Sequence, residues 1–159
     1  MILHLFLFVF SFLLMELVAW TNHKYLMHGS LWSWHLDHHR NDRKRSSPQE
    51  TETKKFEKND RFFLVYAIPG ILLMAGGAFW AFPPALFVSG GIILYGLTYF
   101  IVHDLIIHER IKLPFKPQKH SAYLKALIRA HKAHHWPKDR NDFQNFGLLF
   151  FPRRYFGED

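Results

Sequence analysis

Residues 62–102 read FFLVYAIPGILLMAGGAFWAFPPALFVSGGIILYGLTYFIV, a run without Asp, Glu, Lys, Arg or His. Pro83-Pro84 divides it into Phe62–Trp80 and Ala81–Val102. Each block is roughly 19–22 residues, about what a helix needs to cross a ~30 Å hydrocarbon layer. The Pro pair predicts a helical hairpin with a very short turn. Pro69 predicts a kink rather than an end, because neighbouring helices can satisfy the freed carbonyl. A third apolar block, Ile2–Trp20, carries only His4 and Glu16 as ionisable groups. It lacks a basic leader and a good small-residue cleavage site, so it reads as a retained span rather than a signal peptide. The expected fold class is an all-α integral membrane protein. It has about three transmembrane helices, approximately 2–22, 62–80 and 84–102, and a histidine-rich helical cap built from 23–61 and 103–159. The whole of 1–159 reads as one domain.

Among 159 residues there are 20 Lys+Arg against 13 Asp+Glu. Such a balance ordinarily suggests nucleic acid or an anionic membrane surface. Position decides between them: nine basic residues fall in 21–61 and the remaining eleven in 103–159. Three spans put both segments on one face, which the positive-inside rule makes cytosolic, with the N-terminus across the membrane. The excess is therefore a topology signal in a plasma (inner) membrane protein, and no nucleic-acid partner is expected. The absence of Cys excludes disulfides, thiolate-ligated clusters and Cys nucleophiles. The polar run Arg40–Arg61 reads as a solvated or partly disordered loop, with an interaction tail the less favoured reading.

The histidines carry the chemistry. His23-x4-His28 is followed by His35-x2-His38-His39, and His103-x4-His108 by His131-x2-His134-His135. Of the 12 histidines only His4 and His120 stand outside this pattern. A single histidine is most often a surface or satisfied core side chain, but a doubled pattern is not explained that way. On a helix, positions i, i+3 and i+4 leave one face. Ser121 can cap a helix whose Leu124, Leu127, Ile128, His131, His134 and His135 share a face, with Lys125, Arg129 and Lys132 opposite. The first triplet repeats this with Leu31, Trp34, His35, His38 and His39. An i, i+5 pair is splayed on an α-helix, so both members of H-x4-H reach one centre only if the helix ends or distorts. Ten neutral donors suit two ions, at four or five ligands each. Imidazole alone does not choose among Fe, Zn, Cu and Ni. No H-E-x-x-H motif is present, and His134-x4-Asp139 is interrupted by Pro137, so redox chemistry on a lipidic substrate is favoured over hydrolysis.

The stretches HKYLMHG (23–29), WSWHLDHH (32–39), YGLTYFIVHDLIIHER (95–110), AHKAHH (130–135) and FGLLFFP (146–152) resemble the bacterial-type β-carotene hydroxylases of the membrane fatty-acid hydroxylase superfamily. The resemblance implies a non-haem di-iron monooxygenase that uses O2 to hydroxylate carotenoid β-rings at carbon 3, giving cryptoxanthin and then zeaxanthin. It also implies electrons from reduced ferredoxin and its reductase. The ligand role carries over to His23, His28, His35, His38, His39, His103, His108, His131, His134 and His135.

Nearby carboxylates should orient these imidazoles. The candidates are Asp37, Asp104 and Glu109 within the motifs, and Glu16, whose burial in a span is costly. For Asp37 and Glu109 a solvated surface charge is an equal alternative. Gly70, Gly76, Gly77, Gly90, Gly91 and Gly96 fit helix packing better than a substrate slot. The aromatic tail (Phe143, Phe146, Phe150, Phe151, Tyr155, Phe156) suits either a roof over the site or an interfacial anchor. Two other classes remain open: a di-iron hydroxylase, desaturase or ketolase acting on another lipid, and a non-enzymatic membrane metal or haem protein.

Overall fold

The computed structural model describes residues 1–45, 56–110, 121–139 and 142–157. Among them every regular element is helical. Helix α1 (Ile2–Thr21) continues without a break into a π-helical stretch, Asn22–Ser30, and α2 (Trp32–Arg45) follows. After a 3-10 turn at Lys58–Phe62 come α3 (Phe63–Phe79) and α4 (Pro83–Tyr99), and α4 runs on into a second π-helical stretch, Phe100–Ile107. Helix α5 (Ala122–His135) and a 3-10 turn at Arg153–Phe156 complete the chain.

Three helical segments are long and apolar enough to cross a membrane: Ile2–Ser30, with a kink at Gly29, Lys58–Phe79 and Pro83–Ile107. Helix α3 continues through Pro69. The two prolines at 83–84 are not the hairpin turn itself but open α4, where a missing N–H costs nothing. The turn is Trp80–Phe82, and Ala81 takes a positive φ of 49°. Helix α4 packs against both α1 and α3. At Gly91 an added Cβ would lie 2.0 Å from Ser11 Oγ and 2.4 Å from the Phe8 carbonyl, so this glycine lets α1 and α4 touch backbone to backbone. Gly77 serves the α3–α4 hairpin, with Ala85 Cβ 3.0 Å and Leu86 N 3.2 Å from the same position. Outward side chains such as Phe6, Leu13, Ile71 and Leu72 stay exposed, a surface that hydrocarbon rather than water would cover.

The core joining the spans is Met15, Ala19, Tyr66 and Tyr95, with Phe12, Ile92, Tyr99 and Leu149 packed around it. It lies toward the ends of α1 and α4 that lead into the π-helical stretches. Here α2 and α5 meet, so both histidine triplets lie at one end of the bundle. Ser121 caps α5 as expected, its Oγ accepting the Leu124 N–H at 3.2 Å. Leu127, His131, His134 and His135 are buried on one side of that helix, with Lys125 and Lys132 exposed.

Candidate metal centre

His23 and His28 fall inside the first π-helical stretch; His103 lies inside the second and His108 is its C-terminal cap, its N–H donating to the His103 carbonyl at 3.0 Å. With i→i+5 hydrogen bonding, residues five apart stand about one turn apart, so His23 and His28 project together, as do His103 and His108. The two ring pairs have centroid separations of 5.1 Å and 4.5 Å. The required distortion is a widening of the turn, and each helix then ends at once, at His108 and at Gly29, whose φ of −107° and ψ of −113° are not helical.

All ten patterned histidines converge, and nine of them are buried, His28 being the partly exposed one. They sort into two sets. His23, His28, His35 and His134 place one ring nitrogen each within 4.8 Å of one another, and His38, His103, His108 and His131 do the same. His39 joins the first set, its Nε2 3.1 Å from that of His35. His135 joins the second, with its ring centroid 4.6 Å from those of both His108 and His131. Each triplet therefore divides. Its outer two members serve the H-x4-H pair that precedes them, while its middle member, His38 or His134, crosses to the other set.

The far side of the rings fixes their protonation. The Nδ1–H of His23 donates to the Phe146 carbonyl (2.9 Å), that of His134 to the Gln144 carbonyl (2.6 Å) and that of His35 to Asn59 Oδ1 (2.7 Å). His38 Nδ1 meets Glu57 Oε2 at 2.7 Å and His108 Nδ1 meets Asp42 Oδ1 at 2.6 Å. A carbonyl or carboxylate only accepts, so the proton sits on Nδ1 and each Nε2 keeps a bare lone pair. Yet Nε2 of His23 faces that of His35 at 3.0 Å, and Nε2 of His38 faces that of His108 at 3.1 Å. Lone pairs aimed at each other repel unless a cation lies between them. Among the described residues, His39 Nδ1 and His135 Nε2 are buried without a hydrogen bond, and His135 Nδ1 has Asp42 Oδ2 at ion-pair distance, 3.3 Å, instead of one. Burial, reinforced by the neighbouring imidazoles, holds His35, His38, His131, His134 and His135 well below the usual imidazole range. His39 is lowered to about 3, again chiefly by burial. The neutral form, the one that donates to a metal, is the ground state of the cluster. The donor set fits a pair of transition-metal ions.

Of the carboxylates expected beside the rings, Asp104 Oδ1 lies 3.3 Å from His103 Nδ1. Asp37 accepts the Lys58 backbone N–H at 3.4 Å, and Glu109 is exposed with a φ of 45°. Glu16 acts on the tail: it accepts the Tyr95 hydroxyl (2.7 Å) and the N–H groups of Leu149 (2.8 Å) and Phe150 (3.1 Å). It so clamps the segment whose Phe146 carbonyl holds His23. The reading of Arg40–Arg61 as a solvated loop is corrected at both ends, where Asp42, Glu57 and Asn59 are buried against histidines; residues 46–55 of that run, and His120, lie outside the described residues. Asp42 was legible, since it extends the face of His35, His38 and His39 by three residues. Glu57 and Asn59 carry no periodic signal. His4 stacks on Phe87 with centroids 4.7 Å apart, within the spans and away from the cluster.

The tail divides in function. Phe143 lies 4.3 Å and Phe146 5.2 Å, centroid to centroid, from His28 and roof the first set, whereas Phe150 and Phe156 point outward. Three neighbouring cavities share lining residues between the α3–α4 surface and the histidines. The outermost, about 710 Å³, is lined by Phe56, Phe63, Leu97, Phe100 and Leu105, with Asp60, Asp104 and Arg110 at its polar edge. It abuts one of about 40 Å³ beside Met27, Tyr66, Gly96 and Tyr99. That in turn abuts one of about 10 Å³ against His23, His103 and His131.

The fatty acid hydroxylase family profile matches residues 8–157. The chain belongs to the fatty acid hydroxylase family. Within this family its similarity is to carotenoid enzymes. It is 35% identical over 145 residues to the β-carotene hydroxylase of Paracoccus sp. (strain PC1), covering 91% of this chain and 82% of that one. It is 38% identical over 140 residues to the β-carotene hydroxylase of Pantoea ananas, covering 87% and 71%. The chloroplastic β-carotene 3-hydroxylase 1 of Arabidopsis thaliana is 35% identical over 142 residues, with 41% of its length matched. No solved structure matches the chain. The matched segment contains all ten histidines of this fatty acid hydroxylase family member, so the metal-binding geometry and the family assignment coincide.

Proposed function

We propose that this membrane protein is a carotenoid β-ring hydroxylase, a monooxygenase acting at carbon 3 of β-carotene to give cryptoxanthin and then zeaxanthin. The observation that carries the reading is the pair of facing, unprotonated Nε2 clusters beside a lipid-open apolar cavity. Homology to β-carotene hydroxylases at 35–38% identity selects the substrate among lipids. The ten histidines hold two iron ions, which supply O2 activation and insertion of one oxygen atom into an unactivated C–H bond. Electrons from reduced ferredoxin and its reductase, with protons from solvent, take the second oxygen to water.

The protein's own residues position and protect. Asp42, Glu57, Asn59 and Asp104 and the Phe146 and Gln144 carbonyls fix the ring tautomers and orientations. Phe143 and Phe146 keep water from the first set. The substrate ring leaves the bilayer between α3 and α4 through the outer cavity, passes Tyr66, Gly96 and Tyr99, and presents one edge beside His23, His103 and His131. Both narrow cavities must widen as it does so. No side chain is needed as a nucleophile. The whole chain acts as one domain with the histidine end in the cytosol, where a soluble electron donor can reach it.

Expressed in bacteria that accumulate β-carotene, with a working ferredoxin system, the protein is expected to yield mono- and then dihydroxylated carotenoid aerobically. Chromatography and a mass gain of one oxygen per ring are the readout. Lycopene, which lacks the ring, should pass unchanged, because a positioned oxidant attacks only the carbon held near it. Unaltered β-carotene alongside modified fatty acids or sterols would move the assignment to another lipid. Reporter fusions test the orientation separately. Those after Gly29 and Asp159 should report cytosol and one at Ala81 the opposite side; a cytosolic Ala81 fusion would overturn it.

A further inference from the structure

The hydrogen bonds behind the two histidine sets are not alike. In the first set the partners are neutral: a carbonyl for His23, a carbonyl for His134 and the Asn59 amide for His35. In the second set they are carboxylates. Glu57 backs His38 at 2.7 Å, Asp42 lies 2.6 Å from His108 and 3.3 Å from His135, and Asp104 lies 3.3 Å from His103. Among the described residues no carboxylate hydrogen-bonds an imidazole of the first set. Among the described residues two guanidiniums offset part of this charge. Arg110 forks onto Asp60 at 2.6 Å and 2.8 Å and reaches Asp104 at 3.2 Å, while Arg43 donates to the His135 carbonyl at 3.2 Å. Among the described residues the carboxylates outnumber the guanidiniums beside them. The difference is already present along the helices: Asp42 follows His39 by three residues on α2, whereas the matching position after His135 is the exposed Lys138.

A divalent ion bound by neutral imidazoles brings uncompensated positive charge into a buried site. Carboxylates one imidazole away lower that cost and make the rings stronger donors. We propose that the two sets bind metal with unequal strength, the set backed by Asp42, Glu57 and Asp104 taking the first ion. The proposal rests on the ten histidines being the metal ligands, as argued above.

Titrating the metal-stripped full chain in detergent with cobalt(II), followed by its visible absorption and by calorimetry, reads the two affinities directly. Two resolved steps are expected. Glu57→Gln and Asp42→Asn should each weaken the tighter step by about 10–100-fold and leave the weaker one in place. Asn59→Asp puts a carboxylate behind His35 and should strengthen the weaker step by a similar factor, a gain that mere damage to the fold would not produce. His28→Ala should erase the weaker step alone. Two equivalent ions binding in one step, or Asp42→Asn acting on the weaker step, would overturn the asymmetry while leaving the ligand assignment intact. Absence of any cobalt binding by protein with native helical content would overturn the ligand assignment, and the asymmetry with it.

Discussion

His134→Ala is expected to abolish turnover and to remove one metal ion, and the ion lost should be that of His23, His28, His35 and His39. Helix α5 carries three patterned histidines, and the flanking two, His131 and His135, face the other set. His38→Ala should do the reverse from α2, emptying the set of His103, His108, His131 and His135. Double replacements test the crossing by non-additivity, since two losses from one site count once. His134→Ala combined with His28→Ala should retain the same single ion as either change alone. Combined with His108→Ala it should retain none. Metal analysis of purified protein decides the matter. If the His134→Ala/His108→Ala pair keeps one ion, each triplet serves its own sequence neighbours and the crossing is wrong.

Gly96→Leu should reduce carotenoid hydroxylation close to background with both metal ions in place. Gly96 lines the cavity of about 40 Å³ between the lipid-facing groove and the histidines. A Cβ added there meets nothing nearer than Phe63 Cε2 at 3.9 Å, so the backbone accommodates a side chain without strain. The remaining carbons of a leucine occupy the passage itself, beside Tyr66 and Tyr99. Gly96→Ala adds only that Cβ and should retain most of the activity. Leu72→Phe, on an exposed lipid-facing position of α3, adds comparable bulk off the route and should have little effect. Product analysis together with metal content separates the cases. A Gly96→Leu protein that hydroxylates β-carotene at the parental rate would mean that the ring enters elsewhere.

What could be read from the sequence was whatever short-range periodicity encodes. The apolar run at 2–20, with Glu16 as its one acidic residue, and the charge-free run at 62–102 define three spans because a bilayer demands length and apolarity and little else. Residues at i, i+3 and i+4 share a face whatever surrounds them, so the triplets announce buried, ligand-bearing sides of α2 and α5, and Ser121 announces the start of α5. The i, i+5 spacing likewise requires a non-α turn, and the π-helical stretches at Asn22–Ser30 and Phe100–Ile107 supply it. Asp42 lies on the same face as the first triplet and belongs to this legible class. The tertiary structure alone decided which ion each histidine reaches. Periodicity orients a side chain about its own helix but not that helix about its neighbours, and His38 and His134 cross because α2 and α5 meet with their middle histidines turned toward the opposite π-helical stretch. Glu57 and Asn59 lie 19 and 24 residues from the histidines they hold. Phe146 holds His23 through a backbone carbonyl, 123 residues away, which no side-chain pattern records. Glu16 reaches the far end of the chain, 133 residues on at Leu149. Such long-range partners are chosen by packing, because a buried polar group must be satisfied by whatever the fold brings within about 3 Å.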